Sequence, residues 1–345
     1  MEKLLIAIIW PTVIVVTILV ILVKCISKRS KNIVVVAQNL ESPTLNGLYK
    51  FTIVEIENAI NNIGKINVRS TRKLIGNGSR GELYQGILPS GQAVAIKEMH
   101  KREDAMESFI SEVECLSRAR HPSIVCLLGF CNEDGKQFLV YENYSAGNLA
   151  QYFLSEFLYF NFSLHVYILD TKESLGTTFC LRTLSSILLS ETLEPKLCGF
   201  GQAKMLGMEE SQVFEDVVEN GVYTDPEYKK SGLLTCSTDI YSFGLVMLQV
   251  LSGPRIAHFG QDDRNILLTK AKDVNTGKLP ISEFEDPWLK GKQINHEALK
   301  SILQIALLCV AETSKERPTI EQVSEELNKA WSLSNIARPI NIPPM

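Results

Sequence analysis

The stretch that decides the fold runs from Leu74 to Lys97, LIGNGSRGELYQGILPSGQAVAIK. It contains Gly76-Asn77-Gly78-Ser79-Arg80-Gly81, a G-x-G-x-x-G pattern. Glycines at this spacing let a backbone turn tightly and approach a phosphate, because no Cβ stands in the way. In a dinucleotide-binding fold they would open a helix. Here they run into the strand-like Glu82-Leu83-Tyr84, so they belong to a hairpin. After the turn Pro89-Ser90-Gly91 comes a further strand, Ala93 to Ile96, with Lys97 directly behind it. A glycine hairpin followed by a strand lysine is a candidate clamp for nucleotide phosphates. Such a lysine needs a counter-charge to hold its position. Ala105 to Arg120 carries Met106, Phe109, Val113 and Leu116 at helical spacing, and Glu112 on that helix is placed to supply it.

Downstream, Ile124 to Phe130 and Gln137 to Tyr141 read as strands, and from about Asn148 the chain is mostly helical. The order predicts an α+β protein, a small β-rich unit preceding a larger α-rich one, without internal repeats. Phe153 to Leu169 is apolar and aromatic but interrupted by Glu156, Asn161 and His165; it is expected as a buried helix of the larger unit rather than a membrane span. Upstream, residues 24–69 read as a linker. Its start is basic, Glu41-Ser42-Pro43 and Asn46-Gly47 are loop signals, and Phe51 to Ile63 holds a short helical pattern. A folded unit is expected to begin near Ser70.

Leu4 to Val23 carries no charge over twenty residues, enough at about 1.5 Å per residue to cross a bilayer core. Lys24, Lys28, Arg29 and Lys31 follow it, so the positive-inside bias places the rest of the chain in the cytoplasm. A cleaved signal peptide would have a shorter apolar core and a small-residue cleavage site. Residues 1–3 alone precede the span, so no extracellular ligand-binding domain is expected. Cys25 stands at the membrane face, where an acyl chain or a free thiol is equally compatible. The net charge of −4 is split: residues 1–50 hold six Lys/Arg against two Asp/Glu, and the acidic excess lies beyond them. An acidic folded unit argues against a nucleic-acid partner, while the basic start suits anionic lipid. The eight cysteines form no Cys-x-x-Cys pair, which excludes a zinc ribbon and leaves a reducing compartment as the expectation.

Residues 70–335 resemble the kinase domain of plant receptor-like protein kinases. Val94-Ala95-Ile96-Lys97 follows the glycine loop as in that family, and Phe109-Ile110-Ser111-Glu112-Val113 is similar to its αC helix. His121-Pro122-Ser123-Ile124-Val125, Leu128-Gly129-Phe130 and the hinge-like Leu139-Val140-Tyr141-Glu142 come next. Asp225-Pro226-Glu227-Tyr228 resembles the end of an activation segment, and Asp239-Ile240-Tyr241-Ser242-Phe243-Gly244 the start of the buried αF helix. Glu316-Arg317-Pro318-Thr319 carries the arginine expected to pair with Glu227. The resemblance implies a two-lobed kinase-like fold, with an N-lobe over about 70–142, a C-lobe over about 143–335 and a tail at 336–345. It implies ATP as ligand, with Gly76, Gly78, Gly81, Leu83, Ala95, Lys97, Glu112 and Glu142 as candidate nucleotide-binding residues.

The resemblance breaks where phosphoryl transfer would occur. That chemistry needs an aspartate near the nucleophile, an asparagine for magnesium and the aspartate of D-F-G. Leu197-Cys198-Gly199-Phe200-Gly201 occupies the D-F-G position with Gly199 in place of the aspartate. Ser186 stands where the asparagine is expected, and Leu181 where the catalytic aspartate is expected. A shift of register does not restore them, since Thr171 to Glu215 contains neither aspartate nor asparagine. Apolar counterparts remain: Leu116, Phe200, and Phe179 in place of the family's histidine. The segment between Leu149 and Leu169 is shorter than the family uses for αD–αE. Asn220 replaces a threonine near the substrate site, and Ser211, Tyr223 and Thr224 are loop hydroxyls. The expectation is a membrane-anchored pseudokinase, catalytically inactive or strongly impaired, that scaffolds or regulates active receptor-like kinases, with weak metal-free ATP binding. Two alternatives stay open: an active Ser/Thr kinase with a non-standard site, and a decayed or mispredicted gene product with an altered 152–180 segment.

Overall fold

A computed structural model describes residues 44–45, 47–61, 72–78, 80–148, 186–192, 194–203, 212–213, 221–253, 261–287 and 295–334. The first lobe is a seven-stranded sheet ordered β1-β2-β6-β7-β5-β4-β3. Its strands are β1 (Thr44–Leu45), β2 (Leu48–Lys50), β3 (Leu74–Gly78), β4 (Gly81–Ile87), β5 (Ala93–Met99), β6 (Leu127–Glu133) and β7 (Lys136–Glu142). Two helices belong to this lobe, α1 (Ile53–Asn61) and α2 (Ala105–Arg118). Alternation along β5 gives each face of the sheet its own core. Val94 and Ile96 point outward into a cluster with Ile56, Ile60, Tyr84, Phe138 and Val140. Ala95 lies on the other side, in the cluster that holds Phe109, Val113 and Leu116 of α2.

The segment expected to be linker contributes to this lobe. β2 pairs in parallel with β6, Tyr49 opposite Gly129. A Cβ on Gly129 would collide with the Tyr49 carbonyl and the Phe51 ring, so the glycine is what admits the strand. Helix α1 begins at a reciprocal cap: the Thr52 N–H and hydroxyl both donate to Glu55 Oε2 (2.8 and 2.9 Å), and the Glu55 N–H donates to Thr52 Oγ1 (3.3 Å). It buries Ile56, Ala59 and Ile60. The folded unit therefore starts well before Ser70, because these apolar residues cover an otherwise exposed face of the sheet.

The second lobe is helical. A short hairpin, β8 (Ile187–Leu189) with β9 (Pro195–Leu197), and a short antiparallel pair, β10 (Gln212–Val213) with β11 (Leu233–Leu234), accompany α3 (Pro226–Ser231), α4 (Cys236–Ser252), α5 (Gln261–Asn275), α6 (His296–Cys309) and α7 (Ile320–Ser334). Helix α4 is buried from Thr238 to Ser252, as a helix apolar on all sides must be. Gly244 lets it press against α6, where a Cβ would meet Cys309 and Val310. The observed architecture is thus the expected two-lobed kinase fold. Among the described residues no helix is long and apolar enough to cross a membrane. The expected span at 4–23, the 153–169 helix and the tail lie outside the described residues, as do Phe179, Leu181, Ser211 and Asn220.

Candidate functional site

Lys97 sits on β5 and faces α2. Its Nζ lies 2.7 Å from Glu112 Oε2, with 17% of the lysine side chain and 2% of the glutamate side chain exposed. The other carboxylate oxygen, Glu112 Oε1, accepts a hydrogen bond from Tyr141 Oη at 2.8 Å. Both oxygens of a buried carboxylate are therefore satisfied, which is the condition for keeping its charge inside a protein. Burial, followed by the charge of Glu112, drives the Tyr141 phenol well above its usual pKa, so it stays a donor. Tyr141 entered the sequence reading only as part of the hinge. Its role as the second partner of Glu112 spans 29 residues and leaves no local signature.

The glycine loop forms the edge hairpin β3–β4, Gly78 opposite Gly81. The glycines differ in their reason. A Cβ on Gly81 would run into the Glu98 carbonyl of β5, so packing alone demands glycine there. At Gly76 and Gly78 a Cβ would find ordinary contacts at 3.5 and 3.6 Å. Packing inside the hairpin therefore does not demand glycine at either position. Leu83 and Ala95 lie in the same pair of strands: Leu83 opposite Lys97, and Ala95 between Gln85 and Tyr141. Glu142 ends β7; its N–H donates to the Cys126 carbonyl (3.0 Å), and its exposed carboxylate accepts from Tyr144 Oη (3.3 Å).

The corner where the family resemblance expects metal ligands holds Ser186 and Gly199. Cys198 N–H donates to the Ser186 carbonyl at 2.9 Å, which joins the two ends of the β8–β9 hairpin. A Cβ on Gly199 would stand 3.9 Å from Ser186 Oγ. The structure thus brings Ser186 and Gly199 together. Gly199 has φ +85° and ψ 44°, a left-handed conformation that glycine adopts without cost. Phe200 follows in a short 3₁₀ turn and is buried. The turn is fastened to α2: Ser111 Oγ donates to the Ala203 carbonyl at 2.9 Å, and a Cβ on Gly201 would collide with Ser108 Oγ. Burial raises the Cys198 thiol to about 12, which keeps it protonated and a poor nucleophile.

Magnesium asks for hard, preferably anionic oxygens in near-octahedral geometry. Ser186 offers a neutral hydroxyl and Gly199 no side chain. Among the described residues no group of three or more His, Cys, Asp or Glu could hold a metal ion. The residues present do not fit magnesium at this corner.

One sequence expectation is corrected in the second lobe. Arg317 does not pair with Glu227 but bidentately with Asp225, at 2.5 and 2.7 Å. Both side chains of that pair are nearly fully buried. The guanidinium also lies 4.9 Å from the centre of the Tyr241 ring. Asp225 is the carboxylate that shares the interior, so it neutralises the buried fork. Glu227, more exposed, takes the Ser314 N–H at 2.5 Å, and chiefly that bond holds its carboxyl below the usual range. The preceding segment is pinned by the Tyr223 hydroxyl on Gln249, by Ser242 Oγ donating to the Tyr223 carbonyl (3.0 Å), and by Arg264 donating to the Val222 carbonyl (3.3 Å). Tyr223 and Thr224 are buried, so neither is an open loop hydroxyl.

A two-lobed fold with a glycine hairpin, a strand lysine and a paired helix glutamate defines the protein kinase class. Residues 69–327 match the protein kinase domain family, and the chain belongs to it. Among similar curated proteins is the probable serine/threonine-protein kinase PBL28 of Arabidopsis thaliana. It is 31% identical over 297 residues, covering 80% of this chain and 77% of that protein. A probable receptor-like protein kinase of the same plant is 31% identical over 291 residues, covering 80% of this chain and 59% of its own length. The leucine-rich repeat receptor protein kinase EMS1, also from Arabidopsis thaliana, is 29% identical over 288 residues. That match covers 75% of this chain and 23% of EMS1. The relatives are thus plant receptor-like kinases and related Ser/Thr kinases, and the chain spans well under two thirds of some of them.

Proposed function

We propose that this protein is a membrane-anchored pseudokinase that scaffolds or regulates active receptor-like kinases and transfers no phosphate itself. The observation that carries the reading is the contrast at the cleft. The Lys97–Glu112 pair is formed at 2.7 Å, while the corner that would hold magnesium presents Ser186 and Gly199. Phosphoryl transfer relies on positioning and on metal charge rather than on covalent help from the protein. Removing the metal-binding acids therefore removes most of the catalysis and leaves the fold intact. When a nucleotide binds, Gly76, Gly78 and Gly81 cover it, Lys97 meets its phosphates without a metal, and Leu83, Ala95 and the hinge at Glu142 receive the base. The apolar, uncharged run Leu4–Val23 and the basic residues behind it supply the anchor, with the kinase-like domain on the cytoplasmic side.

The test is phosphate incorporation by the purified full chain in detergent, alone and with a general acceptor protein. No incorporation above a no-enzyme control is expected. Incorporation by the wild type that disappears in Lys97→Ala would establish a working kinase and overturn the reading. Affinity capture of the full chain from membranes is expected to bring down active receptor-like kinases; loss of that capture on deleting residues 4–23 would assign the partnership to the anchored state.

A further inference from the structure

We infer that Arg80 and Asp104 form a latch tying the glycine hairpin to the start of α2, so that the hairpin is held by that helix before any ligand arrives. The inference concerns the resting protein and holds whether or not phosphate is transferred. Arg80 immediately precedes Gly81 in the hairpin, and Asp104 immediately precedes α2. Arg80 Nη1 lies 3.0 Å from Asp104 Oδ2, with 16% of the arginine side chain and 44% of the aspartate side chain exposed. The backbone delivers the two to each other. Gly81 stands opposite Met99 in the β4–β5 ladder, and the His100 N–H donates to the Arg80 carbonyl at 3.0 Å. Arg80 is thereby placed at the end of β5, beside the connection that leads into α2.

The carboxylate forgoes another use. An aspartate just ahead of a helix commonly accepts a hydrogen bond from one of the free N–H groups of the first turn. Asp104 makes no such bond with its side chain. Its second oxygen lies 3.5 Å from Nε of the exposed Arg102 instead. The aspartate therefore serves two arginines and not its own helix. Of the two, Arg80 comes from the hairpin and is mostly buried, and a partly buried pair is screened less than an exposed one. Burial does little for this edge of the sheet. β3 is its outer strand, and Leu74 and Ile75 on it are exposed. A charged tie supplies restraint that apolar contact does not. At its other end α2 carries Ser111, which fastens the helix to the Phe200 turn. A bound protein that displaces the start of α2 therefore displaces the hairpin with it.

The test is hydrogen–deuterium exchange of the full chain in detergent, followed in peptides over residues 74–84 and 105–118. Asp104→Asn keeps a side chain able to cap α2 and removes the charge. It is expected to speed exchange in the hairpin about threefold to fivefold and to leave the helix peptide unchanged. Arg80→Glu is expected to loosen the hairpin likewise, and Arg80→Glu combined with Asp104→Arg, which reverses the pair, to recover most of the protection. Hairpin exchange that Asp104→Asn does not alter overturns the inference. So does equal acceleration of both peptides, which would assign Asp104 to the helix start alone, or a reversed pair that exchanges as fast as Arg80→Glu. Where a variant does not fold, the wild type decides. Raising salt from about 0.05 M to about 1 M shortens the screening length severalfold. Exchange over 74–84 should then rise relative to the central strand at 136–142, and the absence of that selective rise overturns the latch.

Discussion

The two halves of the cleft were treated differently. In the upper half, β5 and α2 hold a complete network: Lys97 on one oxygen of Glu112, Tyr141 on the other, and α2 fastened to the Phe200 turn through Ser111. In the lower half, the β8–β9 hairpin brings Ser186 and Gly199 face to face with no charge between them. The difference teaches that the shape of a kinase cleft and the charge it needs for chemistry are separable. Shape here comes from apolar burial and backbone pairing, which Ser186 and Gly199 leave in place. Charge at the metal corner comes from those side chains alone.

The largest expected effect lies in the upper network. Glu112→Ala leaves Lys97 and the Tyr141 hydroxyl without their shared acceptor and should destabilise the first lobe by about 3 kcal/mol, read by urea denaturation. Glu112→Gln keeps an acceptor for Tyr141 and should cost less than the alanine variant. Equal losses would mean that the ammonium, and not the pair of donors, dominates the site.

A middle-sized effect belongs to the seam between the halves. Gly201→Ala forces a Cβ against Ser108 Oγ and should cost about 1–3 kcal/mol through overpacking. Gly201→Ala combined with Ser108→Ala should recover part of that loss. Ser186→Ala, in the lower half, should change stability by less than about 1 kcal/mol. A loss as large as that of Gly201→Ala would show that the corner is a structural element and would break the contrast.

The smallest effect is a slope with pH. The folded Tyr141 phenol titrates well above its ordinary value of 10.0. Between those two values the unfolded chain releases a proton that the folded chain keeps, so stability falls as the pH rises above 10. Tyr141→Phe should flatten that alkaline decline while lowering stability at neutral pH by about 1–2 kcal/mol. An unchanged slope would assign it to other phenols, among them Tyr144, which burial raises to about 12.

Much of the fold was legible because its signals are local. The helix read from Phe51, Val54, Ile56, Ile60 and Ile63 exists as Ile53–Asn61. The strand read at Ala93–Ile96 exists as Ala93–Met99. What was misread depended on contacts distant in sequence. Residues 48–61 looked like linker because a strand of three residues has no period to detect; only the bare surface of Gly129, some eighty positions on, shows that it docks. Arg317 was matched to Glu227 by motif, but the burial of Asp225 decided the pair.

Sequence by itself determined that positions 171–215 hold neither aspartate nor asparagine, which folding cannot supply. It also determined the lobes, since alternating and helical apolar periods commit a segment to a sheet or a helix before any tertiary contact forms. Tertiary structure alone decided that Arg317 meets Asp225 rather than Glu227, that Tyr141 completes the Glu112 site, and how closely Ser186 approaches Gly199. Those outcomes turn on burial and on distances of a few ångströms between residues far apart in the chain. Ion pairs and hydrogen bonds gain or lose their energy on that scale.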